Sequence, residues 1–108
     1  MDPVIESHLQ KVVTRYGLRY AQRKDLVDTA YLLDDVVVLG VFTDPILALL
    51  ATYHEIAHSQ LPELSSLYLT ERKCWEWACS KLCLEGFGEQ IKFNHKRFIV
   101  KALKSYRK

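Results

Sequence analysis

The pentapeptide HEIAH, from His54 to His58, constrains the fold of this chain more than any other feature of the sequence. Histidines four residues apart lie on one face of an α-helix, so both imidazoles can reach a single zinc ion. Glu55 lies to one side of them, where its carboxylate can take a proton from a metal-activated water. The apolar segment before the motif follows Asp44-Pro45, which is a typical helix start. The sequence therefore predicts an apolar helix with a zinc site on one face.

A catalytic zinc site has three protein ligands and one open position, so the third ligand must come from downstream. The candidates are Glu71, Glu76, His95 and the cysteines. We expect Glu76 to be this ligand, because it lies well inside the next predicted helix, over residues 70–84. Glu71 is the alternative, although as a first-turn carboxylate it is also favoured by the helix dipole alone. Ser80, one turn after Glu76, is expected to hydrogen-bond close to the metal ligands.

The chemistry that HEIAH predicts is hydrolysis of a peptide bond. Zinc would polarise the carbonyl group, while Glu55 would take a proton from water and pass one to the leaving amine. A further group is expected to stabilise the negative charge on the substrate oxygen. Tyr53, Tyr68 and His95 are the candidates, and the sequence does not choose among them. Residues 36–42 are expected to form a strand whose edge pairs with an extended substrate.

Length and element order predict one α+β domain. A chain of 108 residues has room for a single core. Apolar spacing and Gly or Pro breaks predict a helix from Asp2-Pro3 to Gly17, a weak strand over residues 18–23, a hairpin of Ala30–Leu33 and Val36–Phe42, a helix from Asp44 to about His58, a helix over residues 70–84, and a helix capped by Asn94. We therefore expect a small sheet packed on the HEIAH helix, with one helix before it and two after it.

Charge divides the chain into an acidic body and a basic end. Residues 1–90 contain 8 Lys or Arg and 13 Asp or Glu, whereas residues 91–108 contain 7 Lys or Arg and no acidic residue. Residues 25–71 contain eight acidic residues and no Lys or Arg. The basic end can be a solvated helix, a nucleic-acid contact, or a segment that docks on the acidic body over the active site. His95 could then approach the metal.

Other features favour a cytoplasmic protein. The sequence contains no apolar run long enough to span a membrane, and Met1-Asp2-Pro3 does not begin a cationic secretion signal. Cys74, Cys79 and Cys83 form a poor disulfide framework, which fits a reducing compartment. Cys79 and Cys83 are four residues apart and could bind metal, but packing in the core is the favoured interpretation.

The succession of strand 36–42, the HEIAH helix and a helix with Glu76 resembles the catalytic core of gluzincin metallopeptidases. The chain length is similar to that of the minigluzincins, minimal soluble members from thermophilic prokaryotes. The resemblance covers roughly residues 1–90, and it implies a minimal zincin fold and a zinc-dependent metalloendopeptidase acting on a peptide or protein substrate. Many gluzincins have Asp four residues after the glutamate ligand, where this chain has Ser80.

The resemblance also implies latency. Minigluzincins are made as zymogens whose C-terminal segments block the cleft, within one chain or between two. Residues 91–108 are therefore expected to be a latency segment that follows a catalytic scaffold over residues 1–90, and they could join two copies in a homodimer. We expect no membrane partner and no nucleic-acid partner. The alternatives are an inactive zincin-fold regulatory protein and a basic-tailed nucleic-acid-associated module. The runner-up families are compact peptidases resembling phage-repressor-cleaving enzymes and the SprT-like DNA-associated proteases.

Overall fold

A computed structural model describes residues 3–106 and confirms the α+β prediction. Its elements are α1 (Pro3–Arg15), β1 (Arg19–Val27), β2 (Ala30–Leu33), β3 (Val36–Val41), α2 (Pro45–Gln60), α3 (Leu67–Leu84), a short 3-10 helix (Gly88–Gln90) and α4 (Phe93–Lys104). The cap predicted at Asp2 lies outside the described residues. Within residues 3–106, no helix has the length and apolar character needed to cross a membrane.

The three strands form one mixed sheet in the order β1-β3-β2. Strand β3 is central: it pairs in parallel with β1 and antiparallel with β2. The β2–β3 hairpin turns at Asp34, whose φ of +53° is a conformation that Asp tolerates better than most residues. The expected substrate edge at residues 36–42 is therefore wrong, because the backbone of β3 is hydrogen-bonded on both sides. The outer strands of this sheet are β1 and β2.

Helix α2 lies in the core. It begins as the sequence predicts: Asp44 Oδ1 accepts hydrogen bonds from the backbone N–H groups of Ile46 and Leu47, at 2.9 and 3.3 Å, and Pro45 occupies the first turn. Every residue from Ile46 to Ala57 is buried. A helix that is apolar on all sides needs cover on all sides, and here α1, the sheet and α3 provide it.

Helix α3 begins three residues earlier than the sequence indicated. Ser66 caps it, with Oγ accepting a hydrogen bond from the N–H of Leu69 at 3.1 Å. The connection from α2 is therefore only residues 61–66. Because the chain returns so quickly, the second turn of α3 lies beside the last turns of α2. This placement decides which acidic residue meets the HEIAH histidines.

Helix α4 packs its apolar side on the body. Phe98, Ile99, Ala102 and Leu103 are partly buried against the core, as their helical spacing predicts. The helix begins at Phe93, slightly before the predicted cap at Asn94. The Lys and Arg side chains of α4 are exposed, and among the described residues none of them forms a salt bridge. Direct ion pairs of these Lys and Arg side chains with the acidic body therefore do not hold α4 in the described part of the chain.

Candidate metal centre

His54, His58 and Glu71 converge at one point between α2 and α3. Their ligand atoms all lie within 4.8 Å of one another. Glu71 Oε2 lies 2.6 Å from His54 Nε2 and 2.9 Å from His58 Nε2. His54 and Glu71 are each 8% exposed. Two imidazoles and a carboxylate are the donor set of many catalytic zinc sites, which leave a fourth position open.

The structure brings Glu71, and not Glu76, to the histidines. Five residues along a helix turn the direction of the side chain by about 140°, so the two glutamates cannot face the same neighbour. Glu76 lies on the exposed side of α3, where its carboxylate pairs with Arg72 at 3.2 Å and Lys73 at 3.5 Å. The expectation for Glu76 assumed that α3 begins at residue 70. The earlier start and the short connection bring Glu71 opposite α2 instead.

Charge in this cluster is arranged around a buried carboxylate. Burial acts to raise the pKa of Glu71, but hydrogen bonds with His54 and His58 outweigh it and hold the pKa well below its usual range. Interactions with Cys74 and then Glu71 raise the pKa of His58 to about 10. Burial acts to lower the pKa of His54, yet Glu55 and Glu71 raise it overall. The cluster therefore favours positive charge beside Glu71, supplied either by protons on the imidazoles or by a metal cation.

Glu55 orients the first histidine. Its Oε2 lies 2.7 Å from His54 Nδ1. When Nδ1–H donates to this carboxylate, the lone pair of Nε2 is directed at the point shared with Glu71. Such partners fix the ring orientation and tautomer of metal-binding histidines. Glu55 is only 9% exposed and also lines the cavities beside the cluster, so its carboxylate borders the space where a substrate would lie.

An aromatic stack connects the cluster to α4. The indole of Trp75 lies parallel to the His54 ring, with 4.0 Å between centroids and 12° between planes. Phe98 of α4 meets Trp75 edge-on, with 6.2 Å between centroids. Trp75 therefore restricts how far the His54 ring can tilt. Trp75 follows Glu71 by four residues, so helical spacing places both on the same side of α3.

Two cavities flank Glu55 along strand β2, and Tyr31 lines both. The first, about 360 Å³, also touches His58 and Glu63. The second, about 350 Å³, contains the His54 side of the cluster and has the more apolar wall. We call these two cavities together the cleft; it lies along the outer strand β2, beside His54, His58 and Glu71.

Helix α4 and Tyr106, two residues beyond its end, line the second cavity. The residues of α4 in this wall are Phe98 and Ala102. Burial raises the pKa of Tyr106, and an interaction with Glu71 raises it further. The described part of the basic segment thus borders the cluster with its apolar side and with one tyrosine, and none of the cationic side chains of α4 lines this cavity.

The other side chains that the sequence suggested for the site, Tyr53, Tyr68 and Ser80, lie in different parts of the structure. Tyr53 is 1% exposed and packs edge-on against Trp77, and its pKa is raised first by burial and then by Glu85; it is therefore buried on the Trp77 side of α2. Tyr68 is half-buried in the first turn of α3, three residues before Glu71. Ser80 is exposed, so the structure does not bring it to the cluster.

His95 does not approach the metal cluster. It is 4% exposed, and its Nε2 lies 2.6 Å from Asp44 Oδ2 at the start of α2. Asp44 precedes His54 by ten residues, which is about 15 Å along a helix. The expectation that His95 nears the metal or stabilises a substrate oxygen is therefore wrong. Its actual partner could not be identified from spacing, because the two residues are 51 positions apart.

The cysteines are all free thiols. Cys74 is buried next to the cluster, and Cys79 packs partly against the core, where burial raises its pKa. Cys83 is exposed, so the expected core packing of this residue is wrong.

No protein-family model, curated protein or solved structure matches this chain. The resemblance to gluzincins therefore stays a prediction.

Proposed function

We propose that this protein is a zinc-dependent metalloendopeptidase of gluzincin type, with a minimal zincin fold. His54, His58 and Glu71 would hold the zinc ion, and Glu55 would act as the general base. The observation that supports this most is the meeting of both HEIAH imidazole Nε2 atoms with one buried oxygen of Glu71. These donors fit zinc because imidazole nitrogens and carboxylate oxygens both bind it, and because the ionised carboxylate needs a cation beside it.

When bound, zinc would polarise the substrate carbonyl and make water nucleophilic at neutral pH. The proton transfers would be carried out by the side chain of Glu55. Glu55 Oε2 is hydrogen-bonded to His54 Nδ1. The other carboxylate oxygen of Glu55 would accept a proton from water. The water oxygen then adds to the carbonyl carbon. The proton passes from Glu55 to the amide nitrogen as the C–N bond breaks, which yields a carboxylic acid and an amine.

Strand β2 would hold the substrate. It is the outer strand beside the cleft, so it can pair with an extended peptide through backbone hydrogen bonds. Tyr31 of β2 and Glu55 line both cavities, so Glu55 would lie near the middle of such a peptide. An extended protein segment is therefore the proposed substrate, and no property of the site requires a membrane.

We also propose that the enzyme is latent as made. Phe98, Ala102 and Tyr106 line the cavity on the His54 side, where one half of a substrate would lie. The contacts of α4 with its own chain support a block within one molecule. Free cysteines fit a cytoplasmic location.

Metal content tests the proposal directly. Elemental analysis of the purified chain should find one zinc ion per molecule. His54→Ala should lose the zinc, whereas Glu55→Gln should keep it and, in the Tyr106→Ala background described next, abolish cleavage of casein. Tyr106→Ala, at a position that is 38% exposed, should increase cleavage if α4 is the block. Zinc-free wild-type protein prepared with zinc in the medium would contradict the assignment.

A second candidate function is binding of nucleic acid by the outer face of α4. Lys96, Arg97, Lys101 and Lys104 line this face together with Phe93, whose side chain is 75% exposed. Cations beside an exposed aromatic ring suit a single strand, with phosphates on the cations and a base on the ring. Titration of labelled single-stranded DNA at several salt concentrations tests it: a steep salt dependence is expected of such binding, and zinc-independent binding would favour this function over the peptidase.

A further inference from the structure

The N-terminal end of α4 is fastened to the start of α2 by one buried histidine. His95 Nδ1 accepts a hydrogen bond from the backbone N–H of Lys92 at 2.8 Å. Because Nδ1 is an acceptor there, the ring hydrogen is on Nε2, which donates to Asp44 Oδ2 at 2.6 Å. The same ring thus caps its own helix and reaches across to another. Among the described residues of α4, His95 alone is buried.

Asp44 has two separate tasks. Its Oδ1 caps α2 by accepting from the N–H groups of Ile46 and Leu47, and its Oδ2 accepts from His95. The helix that carries the metal ligands and the helix that covers them therefore share one carboxylate. Loss of the His95 bond leaves the cap of α2 in place, so α4 can be released without unfolding α2.

This contact fixes one end of the basic segment, and the other end of the described segment reaches the cluster. With His95 at Asp44, Tyr106 lines the cavity that Glu55 and Glu71 also line. Tyr106 is eleven residues after His95 and two residues beyond the end of α4. Because one residue turns a helix by about 100°, a shift of one residue in α4 would carry its apolar side off the core and Tyr106 out of the cavity.

We propose that the His95–Asp44 hydrogen bond is a clasp that holds α4 in register over the metal cleft, and that opening this clasp uncovers the site. The inference rests on the proposed function only where it concerns catalysis. His95 is a positioning residue here, because it acts through α4 and touches no reacting atom. Without the clasp, α4 is held by partly buried apolar side chains and carries no salt bridge to the body within residues 3–106.

Hydrogen–deuterium exchange of the full chain tests the clasp without an activity assay. His95→Ala removes the bond from one side. Asp44→Ser removes it from the other and keeps a capping oxygen for α2. Each variant should speed the exchange of α4 amides on the order of ten-fold, which is the scale of one charge-assisted buried hydrogen bond. The double variant should be no faster than His95→Ala, because that variant already removes the same bond together with the Nδ1 cap of α4. Lys96→Ala, at an exposed neighbouring position, should exchange like wild type.

The outcomes separate the clasp from the peptidase. Unchanged α4 exchange in both single variants, or rates that multiply in the double variant, would overturn the clasp. Faster α4 exchange with increased casein cleavage by the zinc-loaded variants supports the clasp and the latent peptidase together. Faster α4 exchange, intact zinc content and no cleavage supports the clasp and counts against the proposed peptidase. In every case the α2 amides should remain as protected as in wild type.

Discussion

Helices α2 and α4 both border the cleft, but the protein holds them in different ways. Twelve consecutive residues of α2 are buried, and its cap, its flanking helices and the sheet all fix it. Within described α4 only His95 is buried, and the apolar side is half-covered. Two of the proposed metal ligands therefore lie on the most constrained element, and the cover is one of the least constrained. This difference in burial suits a fixed site on α2 and a removable cover formed by α4, because the segments of a protein that open are those with few buried contacts.

The largest expected difference is in folding stability. Leu50→Ala in α2 removes a fully buried side chain and should lower the free energy of unfolding by about 2–5 kcal/mol. Leu103→Ala in α4 removes a partly buried one and should cost about 1 kcal/mol. Urea denaturation of both variants measures the two values. Equal losses would mean that α4 belongs to the same cooperative core as α2, which would break the comparison.

The next effect separates two glutamates on α3. Glu71→Gln should weaken zinc binding by roughly 100-fold or more, because changes to residues that merely support a ligand already cost 10–100-fold. Glu76→Gln is the matched control on the exposed side of the same helix, and it should bind zinc like wild type. Competition with a chromophoric chelator gives both affinities. Loss of zinc in the Glu76 variant alone would restore the ligand that the sequence favoured.

Acid should loosen α4 through Asp44. Burial acts to raise the pKa of this carboxyl, but the hydrogen bond from His95 and those from Leu47 and Ile46 leave it below the ordinary value of 3.8. A lowered native pKa means that the stabilisation is complete above the unfolded-state value and is lost as the pH falls through the native value. The protection of α4 amides, relative to the intrinsic exchange rate at each pH, should therefore fall below about pH 4, which is an acceleration of exchange after that correction. Asp44→Ser lacks the titrating group, so a wild-type acceleration that persists in this variant would contradict the assignment.

The smallest effect concerns the cationic side of α4. Lys101→Glu reverses an exposed charge that has no salt-bridge partner among the described residues, and it should change the stability and the α4 exchange by less than about 0.5 kcal/mol. Exchange at low and high salt should agree for the same reason. A strong salt dependence would show that charge seats α4 after all, as the charge pattern of the sequence first suggested.

Local signals in the sequence predicted the elements well. Asp44-Pro45 marked the start of α2, Gly17 the end of α1, and the β-branched runs the hairpin, because each signal acts within a few residues. The prediction of the third proposed ligand depended on where α3 begins. Ser66, an N-cap residue before Leu67, could have moved the start of α3 earlier and favoured Glu71. The pairing of β3 on both sides depended on the long-range partner β1, which no local pattern reports.

The sequence by itself determined the α+β class, the apolar helix and the pair of histidines on its face, because helical periodicity and capping act between near neighbours. Tertiary structure alone decided that Glu71 completes the cluster, that Trp75 stacks on His54, and that His95 binds Asp44 at a distance from the cleft. Each of these contacts joins separate elements, so it depends on how connections and buried faces bring those elements together. The basic C-terminal end was noticed in the sequence because of its charges. In the structure, the hydrogen bond from His95 to Asp44 and the apolar side of α4 hold it on the body.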